Sequence, residues 1–285
     1  MKNQKQDIVF TAGESGTLLA LVRRALADTP SGKAKSYLEH RMISVDGVVT
    51  SRYDYPVARG QTVKIRREAS GAYNSPLEVL YEDADLFAVN KPAGLLTVAT
   101  DTEKENTAIR LLRDRGMNPL FVVHRLDRDT SGVLLFAKSA ETRDALQNAW
   151  ESTRRREYAA VCEGVFEQKS GRCDTVLRET SAHRVYSAPS GEGKRAVTLY
   201  EVLRENKKYS YLRVLLETGR KNQIRVHMQE LSHPVVGDKK YGARGNPLGR
   251  LGLHASVLEL THPRTGATLT LTAKPERRFR LPKDE

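Results

Sequence analysis

Residues 66–78, RREASGAYNSPLE, divide the chain. They are polar, contain Ser, Gly, Asn and Pro, and repeat with neither the helical nor the strand period, so they have no face to bury. The pattern predicts a linker, with a boundary near residue 73 separating a small unit over 1–72 from a large one over 73–285. A chain of 285 residues accommodates that pair, at about 100–200 residues per domain. No run approaches the roughly 18 apolar residues of a membrane-crossing helix. No apolar signal core follows the amino-terminal MKNQKQDIVF. Two cysteines, Cys162 and Cys173, exclude a disulfide scaffold and an all-cysteine metal site, and they point to a reducing, cytoplasmic setting.

Charge narrows the partner. Forty-seven Lys and Arg against 35 Asp and Glu leave a formal net charge of +12. Such a surplus suits a polyanion, because basic side chains near phosphates release counterions. Residues 1–72 hold 12 basic and 7 acidic side chains and the other 213 residues hold 35 and 28, so the first quarter of the chain carries a large share of the excess.

In that quarter, Leu18, Leu19, Val22, Ala25 and Leu26 recur at near-helical spacing, with Arg23 and Arg24 on the other side. Thr29-Pro30-Ser31-Gly32 breaks the pattern. A second helix is expected from about Lys33, with Ala34, Tyr37 and Leu38 as its apolar positions. Ile43 and Val45, an Asp46-Gly47 turn, then Val48 and Val49 read as a hairpin. Another strand, Val63 to Ile65, follows the turn Arg59-Gly60-Gln61. A helix, a basic helix, ISVDG and then YPVARGQTVKI resemble an S4-type RNA-binding domain with its core at about 14–66. Asp46 stands where that pattern has Asn, Gln61 where it has Asp, and Arg41-Met42 where a Gly is common. The resemblance implies a grip on structured RNA, with Lys33, Lys35 and Arg41 supplying phosphate contacts. As residues alone, they are equally well ordinary solvated charges.

The large unit is rich in strands. Val79-Leu80-Tyr81 and Leu86 to Val89 flank the acidic turn 82–85, and Val133 to Ala137, Tyr158 to Cys162, Arg195 to Leu203, Tyr209 to Leu216 and Ala267 to Leu271 have strand character. Helices are expected over Glu103–Leu112, Glu141–Trp150 and Asn222–Leu231. They interrupt the strands without a regular βαβ rhythm, which predicts an α+β fold on a mixed, largely antiparallel sheet.

The densest polar constellation is His124-Arg125-Leu126-Asp127-Arg128-Asp129-Thr130-Ser131-Gly132, just before the apolar run at Val133. A carboxylate among guanidinium groups stays ionised at neutral pH and suits a nucleophile or base. Gly132 permits a tight approach before the strand. The same loop also reads as a set of charges knitted by salt bridges. No Gly-rich loop or Asp-Phe-Gly segment accompanies it, so a kinase is excluded. Gly191-Glu192-Gly193-Lys194 lacks the spacing of a phosphate-binding loop. The seven histidines show no metal-ligand spacing with the cysteines. Around the loop, Arg154-Arg155-Arg156-Glu157-Tyr158 puts basic groups beside an aromatic face, as a phosphate backbone and a stacked base require. Gly219 to His227 opens a basic helix on which Gln223 and His227 share a face while Ile224 and Val226 pack inward. His254 alone reads as a half-buried strand residue.

Six segments then occur in one order: YEDADLFAVNKPAGL at 81–95, HRLDRDTSGVLLFAK at 124–138, REY at 156–158, ETGRKNQIRVHM at 217–228, HPVVGDKKYG at 233–242 and LHA at 253–255. This set resembles the RluA family of bacterial pseudouridine synthases, those related to the large-subunit rRNA enzymes, over residues 75–280. Lys221-Asn222 departs from it, standing where many members carry Thr-His. The resemblance implies the pseudouridine synthase fold and isomerisation of uridine in RNA, with Asp127 as the catalytic aspartate. It gives Arg125 the displacement of the uridine, Tyr158 the stack under the extruded uracil and a part in removing its C5 proton, and Arg225 the ion pair that orients Asp127. Asp129 would bridge or shape the loop, while Thr130 and Ser131 hydrogen-bond its turn. No cofactor and no metal are implied. The expected partner is structured RNA, foremost 23S ribosomal RNA or its assembly precursor, met by a monomer in the cytoplasm without DNA or membrane. The same reaction on tRNA, hydrolysis of the N-glycosidic bond, and a non-catalytic ribosome assembly factor remain as alternatives.

Overall fold

Buried apolar side chains gather in two units, Met1–Pro76 and Leu77–Glu285. The computed structural model describes residues 7–26, 32–39, 42–46, 48–50, 52–65, 77–101, 103–104, 106–181, 183–188 and 192–283. Most of the expected linker (66–76), the break at 29–31, Arg41, Gly47 and the side chain of Lys33 lie outside the described residues.

In the first unit the order is β1 (Ile8–Thr11), β2 (Gly16–Thr17), α1 (Leu18–Ala25), α2 (Gly32–Glu39), β3 (Ile43–Val45), β4 (Val48–Val49), β5 (Pro56–Val57) and β6 (Thr62–Ile65). Leu18, Leu21 and Val22 recur at helical spacing and meet Leu38, Ile43, Val63 and Ile65 in one core. Arg23, Arg24 and Lys35 stay exposed. β6 pairs antiparallel with β1 and β3, and β3 with β4. Asp46 has a left-handed φ of 47°, and its carboxylate accepts from the Thr62 N–H and the Gln61 amide, both at 2.8 Å. The two positions where this segment exchanges the S4 pattern's Asn and Asp therefore touch and satisfy each other.

The second unit contains β7 (Glu78–Glu82), β8 (Leu86–Lys91), α3 (Ala108–Arg113), β9 (Phe121–Val122), β10 (Ser131–Ala137), α4 (Ala140–Asn148), β11 (Arg155–Glu163), β12 (Ser170–Glu179), β13 (Val185–Ala188), β14 (Lys194–Glu205), β15 (Tyr209–Leu216), α5 (Gln223–Glu230), β16 (Leu253–Thr261) and β17 (Thr268–Thr272). Among the described residues the sheet runs β13-β12-β14-β15-β11-β16-β10-β8-β7, with β17 on β16 and β9 on β10. β10 and β16 are parallel through Ser131–His254 and Gly132–Ala255, and the other described ladders are antiparallel. The fold is α+β on a mixed sheet.

Two departures from the expected elements have local causes. The helix expected from Glu103 starts at Ala108, because the Thr107 hydroxyl caps it by accepting the Arg110 N–H at 3.2 Å. Glu103 instead accepts from the Asn106 N–H at 3.0 Å and holds a turn. The ten-residue β12, SGRCDTVLRE, has no apolar alternation to announce it, since ladders to β13 and β14 hold it by its backbone.

One apolar cluster, with Leu86, Leu135, Leu146 and Leu258, packs α4 against the β8–β10–β16 side. Another, with Leu212, Val214, Ile224 and Met228, packs α5 against the β14–β15–β11 side. The loop before β10 and the first turns of α5 line a common cavity.

Candidate active site

Asp127 lies in the segment between β9 and β10, whose main chain is tied down on both sides of it. Lys91 is buried, and its Nζ donates to the carbonyls of Pro92 (3.0 Å), Leu95 (2.7 Å) and Arg128 (3.1 Å). Burial pulls its ammonium down to about 7, while the charges of Asp129 and Asp127 oppose the fall. The Thr97 hydroxyl donates to the Leu126 carbonyl (2.9 Å) and accepts the Leu126 N–H (3.1 Å). The Thr130 N–H closes the turn on the Asp127 carbonyl at 3.2 Å. Gly132 then enters β10 with φ of 117°, and a Cβ there would stand 2.1 Å from the Ala255 carbonyl oxygen. Only glycine lets β16 approach this closely.

Arg225 comes from α5. Its Nη1 donates to Asp127 Oδ2 at 3.2 Å and to Asn222 Oδ1 at 3.0 Å. The rest of its fork is taken by Asp238, Nε to Oδ2 at 2.6 Å and Nη2 to Oδ1 at 2.9 Å. Asp238 is 2% exposed. Two parallel bonds to one carboxylate fix the guanidinium plane, and the Tyr241 ring lies 4.9 Å beneath it. Burial works to lower the Arg225 pKa, but the hydrogen bonds and charges of Asp238 and Asp127 raise it above its ordinary value.

Asp127, Arg225, Tyr158 and Arg125 line one cavity of about 680 Å³. Tyr158 stands on β11 opposite Ala255 of β16. Burial pushes its phenol up to about 12, with the Arg156 charge working against the rise and that of Asp127 adding to it. Arg125 is exposed on the cavity wall. The structure thus brings together all four residues singled out in the sequence.

Other expected placements differ. Asp129 is exposed and makes no ion pair among the described residues, which leaves loop shaping as the other role expected of it. Ser131 points away from the turn, toward β16, where His254 Nδ1 is 2.7 Å from its Oγ and Arg250 Nη2 donates to it at 2.7 Å. His254 is fully buried instead of half-buried, with its Nε2 3.0 Å from the Ala273 carbonyl. Gln223 and His227 do share a face, but it is buried against β14. The Gln223 amide donates to the Val197 carbonyl and to Thr198 Oγ1, and His227 meets the hydroxyls of Thr198 and Thr175. Their polar atoms are satisfied inside the unit, so they anchor the helix. Sequence reasoning passed over Asp238 and Lys91, although both stand inside quoted motifs, HPVVGDKKYG and NKPAGL.

Asp83, Asp85 and His262 form a group with metal-like donors among the described residues. Their atoms are engaged by one another and by neighbours: Asp83 Oδ2 takes the Tyr81 hydroxyl at 2.6 Å and lies 2.9 Å from His262 Nε2, and Asp85 takes Arg264 Nε at 2.5 Å. The group reads as a cross-link between the β7–β8 turn and the end of β16. None of its members lines the cavity.

The pattern of the RNA pseudouridylate synthase family matches residues 85–230. Ribosomal large subunit pseudouridine synthase D of Haemophilus ducreyi is 31% identical to the chain, over 92% of this chain and 89% of that one. The tRNA pseudouridine synthase C of the same organism is 35% identical over 72% of this chain and 93% of its own. The solved structure of human RNA pseudouridylate synthase domain containing 4 aligns with a TM-score of 0.59 at 26% identity, covering 71% of this chain and 90% of that one.

Proposed function

Because the chain belongs to the RNA pseudouridylate synthase family, we propose that its cavity converts uridine in RNA to pseudouridine with Asp127 as the reacting carboxylate. The observation that carries this reading is the Asp127–Arg225 pair, 3.2 Å apart on the wall of a cavity large enough for a nucleoside. The reaction breaks the uridine C1′–N1 bond, turns the uracil and rejoins it through C5. No atom is lost and nothing is oxidised, so one held carboxylate can serve at C1′, at uracil C6 or in removing the ribose 2′ proton.

The base must leave its stack, at a cost of a few kcal/mol. Arg125, exposed on the wall, would take its position. Tyr158 offers the ring under the extruded uracil. Burial raises its phenol to about 12, so it is protonated at neutral pH before RNA binds, and a part in removing the C5 proton would require the phenol to lose its own proton first. Arg225, pinned by Asp238, holds Asp127 in one orientation.

The substrate reading follows the relatives. The similarity to a large-subunit rRNA enzyme over 92% of the chain favours 23S ribosomal RNA or its assembly precursor, approached by a cytoplasmic monomer. Residues 1–72, read as an S4-like unit, would grip structured RNA. Similarity to a tRNA enzyme at 35% identity supports tRNA as the second reading. A non-catalytic assembly factor would have no use for the Asp127–Arg225 pair.

The test is pseudouridine mapping at single-nucleotide resolution across total RNA from cells with and without the gene. One or more large-subunit rRNA sites should vanish and return with the wild-type gene but not with Asp127→Asn, while RNA affinity of the variant stays within about twofold. Restoration by Asp127→Asn would overturn the assignment, and loss confined to tRNA would move the substrate.

A further inference from the structure

Arg156 is a buried charge that the site described so far does not use. It stands on β11 two residues before Tyr158, so the two side chains leave the same face of the strand about 7 Å apart. It is 5% exposed. Its Nη2 donates to the Glu217 carbonyl at 2.6 Å, whereas Nε and Nη1 are buried without a hydrogen-bond partner. Burying a guanidinium with two donors unfilled is costly. Glu151, the acid next to Trp150, does not fill them, because Arg220 engages it at 3.0 Å.

The groups around Arg156 are donors too. A Cβ built on Gly219 would lie 3.0 Å from Arg156 Nη1 and 3.8 Å from the Trp150 indole Nε1, so both nitrogens border the same small space. His124 stacks on Trp150 with ring centroids 4.6 Å apart. Its Nε2 accepts the Leu135 N–H at 3.1 Å, which leaves the ring proton on Nδ1. Burial, aided by the Arg156 charge, pulls His124 down to about 3 and keeps it neutral. Arg156, Trp150 and His124 all line the cavity that holds Asp127. Two guanidinium donors that find no acceptor among the described residues suit an anionic oxygen.

We propose that Arg156 and Trp150 form a second subsite of this cavity, which takes a phosphate oxygen of the RNA strand beside the uridine extruded at Asp127. This rests on the reading of the cavity as a uridine site. Nε and Nη1 are shielded in the free protein, so the guanidinium turns toward the cavity as the strand enters, and Gly219 leaves the room for that turn.

Trp150 is the chain's single tryptophan, so its emission reports on the subsite directly. The full-length protein is titrated with pentauridylate, with uridine nucleoside, and with inorganic phosphate at matched phosphate concentration. Pentauridylate should shift the emission of the wild type and of Asp127→Asn, and the other two should not. Arg156→Gln should bind pentauridylate about tenfold more weakly, and its slope of log affinity against log salt should fall by about 0.7. Gly219→Ala should also weaken binding, and it carries the test if Arg156→Gln fails to fold. A neutral methylphosphonate beside the target uridine should weaken the wild type but leave Arg156→Gln unchanged.

Wild-type affinity and salt slope in Arg156→Gln would overturn the subsite, as would an equal response to inorganic phosphate, which would mark a free-anion site. If pseudouridine still forms on the mapped RNA in either case, only the subsite is lost. Absence of pseudouridine formation by the wild type would instead remove the uridine reading itself.

Discussion

Arg225 gives Asp127 a single nitrogen and gives Asp238 the rest of its fork. Under the proposed mechanism, the orientation of the Asp127 carboxylate therefore depends on a buried acid that does not line the cavity. Asp238→Asn keeps the shape and removes the charge that fixes the guanidinium. RNA KM should hold within about twofold while kcat falls roughly tenfold or more, read by single-turnover kinetics on the mapped RNA. A purely structural role would instead lower stability and leave the rate per folded molecule unchanged. Arg225 was legible as Asp127's partner through family resemblance. Asp238 was not, because it lies 13 residues further on, past the end of α5, and no local period links the two. Arg156 was legible only as one basic residue among three; which of them is buried depends on strand register, with Arg155 outside and Arg156 inside.

Elements carry the next constraint. β10 and β16 are parallel over two residue pairs, and Gly132 sits in one of them. Gly132→Ala places a methyl group 2.1 Å from the Ala255 oxygen at a φ that disfavours any side chain. The expected cost is about 3 kcal/mol or more, seen as a lower urea midpoint together with lost activity. A wild-type midpoint would show that the strands can part at no cost. Elements with an internal apolar rhythm were readable in advance: β15 alternates over Tyr209–Leu216, and α1 repeats its leucines and valine. β12 and the late start of α3 were not, because ladder bonds from neighbouring strands and the Thr107 cap decide them.

At the scale of the whole molecule, stability has an acid edge built from neutral histidines, His227 and His254 buried and His124 on the cavity wall. Burial pulls His124 down to about 3, and His227 and His254 down to about 4. In the unfolded chain each titrates near 6.5. Between those values the unfolded state binds protons that the folded state refuses, so stability is complete above about pH 6.5 and falls as the pH drops toward 4, by about 1.4 kcal/mol per unit for each such group. The urea midpoint should therefore decline between pH 6.5 and 4.5, where ordinary carboxylates are still mostly ionised, and His227→Gln should remove its share of the slope. A flat midpoint would mean that these rings already carry protons in the fold.

The amino-acid sequence by itself determined the α+β class, the family and the position of the charged loop. Each is written in short-range order: turn residues, local apolar rhythm, and motifs read along the chain. Only the tertiary structure decided which side chains fix them in place. Arg225 and Asp238 are 13 residues apart and Ser131 and His254 are 123 apart, and the buried donors of Arg156 acquire meaning only beside Trp150 and Gly219. Ion pairing and desolvation act through space. A loop whose sequence allowed both a salt-bridged knot and a held nucleophile therefore resolves into an aspartate turned toward a cavity and a spare cluster of donors beside it.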